Sequence, residues 1–446
     1  MNFQESVRYL LSLGRELAAP TQAAAAKFNL ENITILAKSL GHPERKYPSV
    51  HIAGTNGKGS SAAFLESILR HAGYRTGLYT SPHLERINER IRVNGEEIPD
   101  RAFADVFTRI HSVIEELLAA GTLRAHPTFF ECITAIAFAY FAESQVQVAA
   151  FETGLGGRLD ATNILVPEVA VITRIDFDHE DFLGHSLEEI AGEKAGIIKT
   201  GVPVVIAEQR DEARQVLLSK ARELNAPVVE TNSAFIVESS QVMNGYVCAE
   251  VQEIATHQRF QIAPHLAGRF QLQNSLNAVA AARVLQSRGV RIGDADIEKG
   301  IAAAVWPGRI EKVHHSPDIY LDGAHNPSAA WELAAFFQEN LAGRKLILIF
   351  GALRDKAVDE IAGILFPLAS EVIFTQPRTS RAISAAQLAE IAGHHAATLK
   401  IIPDAGEALE DALARTVPTD VICITGSLYL VGDLRRRALL VTRAET

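Results

Sequence analysis

One stretch limits the possible folds of this chain more than any other. It is a short apolar strand that leads into a glycine-rich loop and then into a helix. The run from His51 to Ser61 carries glycines at positions 54, 57 and 59 and a lysine at position 58, and an apolar-periodic segment follows it. This arrangement lays backbone N–H groups and a helix N-terminus around a phosphate. The stretch therefore predicts a nucleotide triphosphate site in an α/β fold.

The spacing of this loop differs from the common pattern G-x-x-x-x-G-K-[ST]. Position 52 is Ile, and Gly59 separates Lys58 from Ser60. The strand–loop–helix context still favours phosphate binding over an ordinary loop lysine. We predict that Lys58 bridges the β- and γ-phosphates and that Ser60 lies near the metal. The predicted nucleotide-binding residues of the loop are Gly54, Thr55, Asn56, Gly57, Lys58, Gly59 and Ser60.

Length, charge and cysteine content limit the classes of protein to which the chain can belong. A chain of 446 residues exceeds the size at which one core stops growing, so we expect two domains. The net charge of −10, with no basic block, argues against a nucleic-acid or anionic-membrane partner. Cys132, Cys248 and Cys423 are far apart and predict reduced core residues of a cytoplasmic protein. No apolar run approaches the roughly 20 residues that span a bilayer.

Strand and helix patterns alternate along most of the chain, which is typical of parallel sheets covered by helices. Helical spacing extends over residues 3–40, whereas residues 229–263 show the short alternating runs of a small antiparallel addition. The segment 83–99 is charged and predicts an ordered surface loop. A Trp-Pro-Gly-Arg run at 306–309 breaks the pattern. We therefore predict a nucleotide-binding domain over residues 1–304 and a smaller doubly wound α/β domain over residues 305–446.

Polar side chains directly follow several predicted strands of the first domain. Ser81, Glu152 and His179 each come just after an apolar run. Because parallel strands place their carboxyl ends at one edge of a sheet, we expect these three side chains to lie together there. Mg²⁺ accompanies nucleotide triphosphates and prefers oxygen ligands, so a histidine alone would more often be structural. The convergence of all three on one edge favours a metal site.

Thr128 and Glu131 have capping-box spacing at the start of a very apolar predicted helix. The simpler interpretation is a helix cap, and the alternative is that these residues at the start of the helix contact a substrate.

Lys194 is, taken alone, an ordinary helix lysine. Arg309 and Asp322 lie after a Pro-Gly turn and after a strand of the second domain, which is weak evidence by itself.

Together these motifs resemble the folylpolyglutamate synthase and dihydrofolate synthase family, which belongs to the ATP-dependent Mur ligases. The resemblance covers nearly the whole chain, and the glycine between lysine and serine is that superfamily's form of the phosphate loop. It implies a P-loop-containing, Mur-ligase-like central ATPase domain and a smaller Rossmann-like α/β C-terminal domain. The motifs that carry it are Ala53–Ser60, Thr80–His83, Glu152–Asp160, Asp178-His179, Gly192–Ala195, Pro307–Arg309 and Asp322–Pro327.

The resemblance also implies roles for individual residues. Ser81, Glu152 and His179 would bind Mg²⁺, and a carbamylated Lys194 would hold a second metal ion. Asn277, Arg309 and Asp322 would contact ATP. His325 and Ser427 would receive glutamate, and Lys58, Lys194 and His325 would be the catalytic residues. The positions that match pterin-binding residues of bifunctional bacterial members are Thr128, Phe129, Phe130, Glu131, Leu159, Asp160 and Ala161.

The activity implied is ATP-dependent amide formation between L-glutamate and dihydropteroate, a folate glutamate, or both. The resemblance suggests a monomer with small-molecule substrates only. One alternative is a cell-wall Mur ligase, which would need a further N-terminal domain where about fifty residues precede the loop. The other alternative is a nucleotide-dependent switch, although the sequence has no Asn-Lys-x-Asp guanine-reading motif and the second domain would then lack a purpose.

Overall fold

The structure is a computed structural model that describes residues 1–14 and 29–441. The helical pattern predicted over residues 3–40 corresponds to two helices, and its middle part lies outside the described residues, as does the alanine run at 23–26. Within the described ranges, no helix is long and apolar enough to cross a membrane.

Strands of the described residues form three sheets. In chain order they are β1 (Ser49–Ala53), β2 (Thr76–Tyr79), β3 (Ile91–Val93), β4 (Glu96–Glu97), β5 (Val148–Glu152), β6 (Val169–Ile172), β7 (Val204–Ile206), β8 (Val228–Glu230), β9 (Phe235–Met243), β10 (Tyr246–Glu253), β11 (Arg259–Ile262), β12 (Glu311–His314), β13 (Asp318–Leu321), β14 (Leu346–Phe350), β15 (Glu371–Gln376), β16 (Leu399–Asp404) and β17 (Val421–Thr425).

Helices cover both faces of the larger sheets. In chain order the described helices are α1 (Phe3–Ser12), α2 (Glu31–Ser39), α3 (Lys58–His71), α4 (Asp100–Ala119), α5 (Phe129–Glu143), α6 (Glu180–Leu183), α7 (Leu187–Ala195), α8 (Asp211–Glu223), α9 (Thr231–Ala234), α10 (Phe270–Ser287), α11 (Asp294–Ala303), α12 (Pro327–Asn340), α13 (Val358–Leu365), α14 (Ala385–Ala392), α15 (Ala405–Arg415) and α16 (Leu428–Val441).

The first sheet has eight strands in the order β4-β3-β2-β5-β1-β6-β7-β8. The run from β2 to β8 is parallel, and β3 and β4 add antiparallel strands at one edge. β1, which precedes the phosphate loop, is a central strand and is buried on both faces. Its neighbours β5 and β6 are parallel to it, so the residues that follow all three strands lie at one edge.

Residues 235–262 form the small antiparallel sheet that the sequence predicted, in the order β11-β10-β9. Its inward side chains, including Val251 and Phe260, pack into the same hydrophobic core as residues of α3 and α10. The prediction of three buried cysteines was wrong at Cys248, which is exposed. Strand alternation explains this, because Val247 and Ala249 on either side of it occupy the buried face of β10.

The third sheet has six strands in the order β12-β13-β17-β14-β15-β16. β12 is antiparallel, and the remaining pairs are parallel. Two apolar clusters cover its faces, one beneath α12 to α14 and the other beneath α15 and α16. The predicted division at residue 304 falls between the end of α11 and the start of this sheet.

The charged segment at 83–99 is less of a surface loop than the sequence predicted. It contains the edge strands β3 and β4, and Asn88 and Arg90 are almost completely buried. Arg90 donates from Nε to Nδ1 of His83 at 2.8 Å, and its guanidinium lies 5.4 Å from the ring centroid of Phe129. The charge-rich sequence hid this burial, because a charged side chain such as Arg90 can be buried once it has partners inside the fold.

Candidate active site

The loop after β1 follows its path because glycine stands at three positions. A Cβ on Gly54 would lie 1.9 Å from Oγ1 of Thr173. Gly57 has a φ of 87°, in the left-handed region that favours glycine. The inserted Gly59 packs against Trp306, whose Nε1 a Cβ would approach to 2.9 Å. The unusual spacing thus makes room for the segment that leads into the second domain.

Lys58 is the first residue of α3, and its side chain turns back over the loop. Nζ donates to the carbonyl oxygens of Gly54 and Thr55, both at 3.0 Å. Burial lowers the pKa of Lys58, while the charges of Glu152 and Asp178 oppose that shift. The ammonium group is therefore held against the loop, where phosphate oxygens can replace the carbonyl contacts.

A cavity of about 410 Å³ opens in front of this loop, between the carboxyl edge of the first sheet and the second domain. Residues 54–60 line one side of it. The structure therefore brings together residues that the sequence placed in two different domains. The other predicted site residues on its wall are Ser81, Glu152, His179, Lys194, Asn277, Arg309, Asp322 and His325.

Ser81, Glu152 and His179 supply a hydroxyl, a carboxylate and an imidazole to this wall. Glu152 is the last residue of β5, and its Oε2 accepts from the amide of Ser81 at 3.2 Å. Burial raises the pKa of Glu152, although the charge of Lys58 opposes this. His179 precedes α6 with a φ of 52°, and burial lowers its pKa to about 4. A neutral imidazole with two oxygen groups is a donor set that fits Mg²⁺ carrying several waters.

Lys194 is a buried lysine on α7, with only 3% of its surface exposed. Its Nζ donates to the carbonyl oxygen of Gly54 at 2.9 Å. Burial, together with the charge of Lys58, lowers the pKa of Lys194 to about 7. In a large fraction of the molecules, the Lys194 side chain is therefore a neutral amine at physiological pH. This differs from the solvated helix lysine that the sequence alone suggests.

A charged cluster centred on Asp178 links the two domains across the cavity. Asp178 accepts from Nζ of Lys356 at 2.7 Å and from Nδ2 of Asn326 at 3.2 Å. Nε2 of His325 lies 3.5 Å from the same carboxylate. Burial alone would raise the pKa of Asp178, but the hydrogen bond from His325 and the charges of His179 and Lys356 hold it well below its usual range. Sequence reasoning missed Lys356 and Asn326.

The second domain contributes Asp322 and Arg309, and α10 contributes Asn277. Asp322 follows β13, and its carboxylate accepts from the amides of Ile310 and Ala324, both at 2.8 Å. It thus ties the loop that carries Arg309 to the loop that follows β13. Oδ1 of Asn277 is buried and has no hydrogen-bond partner among the described residues. That oxygen is an acceptor available to a ligand in the cavity.

Comparisons with known proteins match both parts of the chain to one family. The Mur ligase middle domain matches residues 52–282, and the Mur ligase, glutamate ligase domain matches residues 308–428. The dihydrofolate synthase/folylpolyglutamate synthase of Bacillus subtilis is 37% identical over 409 residues, which are 90% of this chain and 93% of the relative. The chain belongs to the dihydrofolate synthase/folylpolyglutamate synthase family of Mur ligases.

Solved structures of this family have the same fold. Mycobacterium tuberculosis folylpolyglutamate synthase complexed with ADP superimposes with a TM-score of 0.88 at 31% identity, covering 98% of each chain. Escherichia coli FolC in complex with DHPP and ADP gives a TM-score of 0.85 at 30% identity, covering 100% of this chain and 99% of that one. The predicted family and Mur-ligase-like α/β fold are confirmed, and the chain is an ATP-dependent ligase that binds ATP.

The pterin-site residues predicted for this synthase at 128–131 do not line the main cavity. Thr128 and Glu131 form a reciprocal cap: Thr128 Oγ1 accepts from the amide of Glu131 at 3.2 Å, and Glu131 Oε2 accepts from the amide of Thr128 at 2.7 Å. The capping interpretation of this pair is therefore confirmed. Phe129 packs beneath Arg90, and the ring of Phe130 lies 6.2 Å from that of Tyr79.

The predicted pterin residues at 159–161 also lie outside the main cavity of the synthase, but Asp160 shapes its wall. Its Oδ2 accepts from the amides of Gly154 and Leu155, at 2.8 and 3.1 Å, and both of those residues line the cavity. Ser427 is buried behind the wall, where its Oγ accepts from the amide of Tyr429 at 3.1 Å. The pterin and glutamate assignments of these residues stay predictions.

A second cavity of about 210 Å³ adjoins the first in this synthase. The two share Gly59, Ser81, Glu152 and Arg309 on their walls. Three glutamates and three arginines line the part that the first cavity does not share, so this lining carries both signs of charge. These side chains are Glu85, Arg86, Glu89, Arg92, Glu97 and Arg435.

Proposed function

We propose that this ligase joins the amino group of L-glutamate to the carboxyl group of dihydropteroate and to the γ-carboxyl group of reduced folate glutamates, with conversion of ATP to ADP and phosphate. One observation carries the proposal: a single cavity has the phosphate loop on one side and Arg309, Asp322 and His325 of the glutamate ligase domain on the other. The DHPP in the related FolC complex supports a folate-type acceptor.

The first chemical step activates the acceptor carboxylate. One of its oxygens attacks the γ-phosphorus of ATP, the bond from that phosphorus to the bridging oxygen breaks, and ADP leaves. Negative charge builds on the phosphate oxygens, where Lys58 and the loop amides stabilise it. The product is an acyl phosphate on the acceptor.

In the second step the neutral amino nitrogen of glutamate attacks the acyl carbon. The carbon–oxygen bond to phosphate breaks, phosphate leaves with the bonding electron pair, and the nitrogen loses a proton to give the amide. Our candidate contacts for the incoming glutamate are His325, which lines the cavity, and Ser427, which is buried next to the lining residue Leu428. Water must be kept out, because an acyl phosphate hydrolyses; the enclosing position of the cavity between two domains supports this.

Ser81, Glu152 and His179 are the residues that would hold Mg²⁺, and Lys194 would hold a second ion once it is carbamylated. Glu152 is an anionic oxygen donor that only the Ser81 amide engages among the described contacts, and Nδ1 of His179 is buried without a hydrogen-bond partner among the described residues. When bound, Mg²⁺ neutralises phosphate charge as a Lewis acid.

We expect Lys194→Ala to lose most of its activity and to recover part of it when a short carboxylic acid is added. The pKa of about 7 leaves Lys194 partly neutral, and a neutral amine adds to CO₂ with loss of a proton to give a carbamate. A small carboxylate can occupy the space that the carbamate leaves. Activity of the variant across a formate and acetate series checks this, with Lys199→Ala as the control that should not respond. Absence of any recovery counts against carbamylation.

We expect Arg309→Ala to raise the KM for ATP about tenfold or more, since a charge-assisted hydrogen bond contributes about 1.5–3 kcal/mol. Arg309 reaches the cavity from the second domain, so ATP would bridge the two domains and favour their closure. Steady-state kinetics with ATP as the varied substrate measure the effect, and the unfolding temperature should stay unchanged. Wild-type kinetics in this variant would exclude the bridging role.

We propose that the ligase works as a monomer on small-molecule substrates. The net charge of −10 argues against a nucleic-acid or anionic-membrane partner, and the wide separation of the three cysteines supports a cytoplasmic location. Mass spectrometry of products from dihydropteroate and from tetrahydrofolate, each with glutamate and ATP, tests the proposed substrates. Products longer by one glutamyl residue from both acceptors are expected. Nucleotide hydrolysis without amide formation would favour a switch, and a product only with a UDP-linked acceptor would favour a cell-wall ligase.

A further inference from the structure

Two histidines and a glutamate converge on the first domain at a place that belongs to neither cavity. His111 and Glu115 lie one turn apart on α4, and His126 belongs to the segment that precedes α5. One potential ligand atom from each lies within 4.8 Å of the other two. The closest approach between the first pair is 3.8 Å, from Nδ1 of His111 to Oε1 of Glu115.

The hydrogen bonds of His126 fix which of its nitrogens carries a lone pair. Its Nδ1 lies 2.7 Å from the carbonyl oxygen of Pro127, which can only accept, so Nδ1 carries the hydrogen. Nε2 therefore presents its lone pair, and it lies 3.1 Å from the hydroxyl of Tyr9. Because Nε2 then carries no hydrogen, the Tyr9 hydroxyl donates to it, and this hydroxyl would have to turn aside for an ion to bind. Histidines that bind metals commonly donate their other ring N–H to a backbone carbonyl in this way.

His111 has a ring nitrogen that makes no hydrogen bond within the described part of the chain. Its Nδ1 is buried, and the described residues offer it no hydrogen bond. The ring is held in place by the ring of Tyr9, 4.6 Å away, and by that of Phe107, 6.0 Å away. A buried polar atom left unpaired is costly, so an ion here would remove a penalty.

We propose that His111, Glu115 and His126 form a binding site for Zn²⁺, with water as the fourth ligand. Two imidazoles and one carboxylate suit Zn²⁺, whereas Mg²⁺ prefers sites in which oxygen ligands outnumber nitrogen ligands. Zinc–nitrogen bonds of about 2.0–2.1 Å place tetrahedral ligands roughly 3.4 Å apart. Small rotations of the side chains, chiefly of the exposed Glu115, close the site to that spacing.

Such an ion would connect α4 to the segment that leads into the N-terminal cap of α5.

Among the described residues, Asp359, His394 and His395 form the other cluster of this kind. Its two histidines both approach Oδ1 of Asp359, at 3.6 and 3.0 Å, and their rings lie 3.9 Å apart. Because its ligand types are the same, this second cluster provides a matched control.

Zinc affinity of the untagged full chain, measured in excess Mg²⁺ by competition with a chromophoric chelator, tests the proposal. The His111→Ala/His126→Ala double variant should bind Zn²⁺ at least tenfold more weakly than the wild type, and Glu115→Gln should show a smaller loss in the same direction. The His394→Ala/His395→Ala variant should match the wild type. Zn²⁺ should raise the unfolding temperature of the wild type and of that control but not of the first double variant.

Unchanged affinity in the His111→Ala/His126→Ala variant, or a loss confined to the His394→Ala/His395→Ala variant, would overturn the proposal. If the first double variant does not fold, anomalous diffraction from wild-type crystals soaked in Zn²⁺ decides the question. A peak between His111 and His126 is the expected result, and its absence would contradict the site.

Discussion

Lys58→Ala should lower kcat by about 10³-fold, the loss typical of removing one preorganised group that stabilises transition-state charge. The ammonium group is the cation that the phosphate loop itself supplies, and in the structure it is held by the carbonyl oxygens of Gly54 and Thr55. Because we propose that it lies at the point where the γ-phosphoryl group is transferred, its removal should affect kcat more than the KM for glutamate. Steady-state ADP release in the presence of both co-substrates measures the effect.

Lys38→Ala is a suitable control for this variant, since Lys38 is an exposed lysine near the end of α2. Its activity should equal that of the wild type. The unfolding temperature of Lys58→Ala should also stay close to the wild-type value, because Lys58 contacts only backbone carbonyls of its own loop in the hydrogen bonds described. Retention of more than a tenth of the activity by Lys58→Ala would remove this lysine from the proposed first step.

Glu152→Gln should lower kcat by about 10²–10³-fold and, in metal-free protein, raise stability. The activity falls because the anionic member of the proposed Mg²⁺ donor set is lost. The stability rises because burial raises the pKa of Glu152 above its ordinary 4.5, so the ionised carboxylate is disfavoured in the fold. In the wild type, the contribution of the Glu152 carboxyl group to the free energy of unfolding is fully present at low pH. It is lost as the pH rises through the pKa of this group in the folded state.

The stability difference between Glu152→Gln and the wild type should therefore be small below about pH 4.5 and should grow as the pH rises. Denaturation in the presence of EDTA at several pH values measures it. Glu332→Gln is a matched control, because Glu332 lines the same cavity and burial likewise raises its pKa, but it pairs with Arg174 at 3.6 Å. Equal losses of activity in the two variants would contradict a specific role for Glu152 in metal binding.

Sequence reasoning located site residues best where their position follows from the strand that precedes them. Glu152 and His179 were placed correctly beside the phosphate loop because each follows a strand of one parallel sheet, and strand ends meet at a common edge. Gly59 was visible as an insertion, but its partner Trp306 was not, because that contact depends on how the second domain packs.

Contacts between distant parts of the chain were beyond sequence reasoning. Lys356 lies 178 positions from Asp178, and nothing in its local pattern distinguishes it from a surface lysine. Arg90 was expected on the surface for the same reason, since charge predicts exposure unless a partner is known. The failure at Cys248 has another cause: a strand with one buried face exposes every second residue, whatever its polarity.

The central claim is that ATP activates the acceptor carboxyl group as an acyl phosphate, and transfer of oxygen from substrate to phosphate tests it most directly. Dihydropteroate labelled with ¹⁸O in its carboxyl group should be incubated with the enzyme, ATP and glutamate, and the released phosphate analysed by mass spectrometry. The mechanism predicts phosphate that carries one ¹⁸O atom for each amide formed. Unlabelled phosphate, together with normal amide formation, would contradict it.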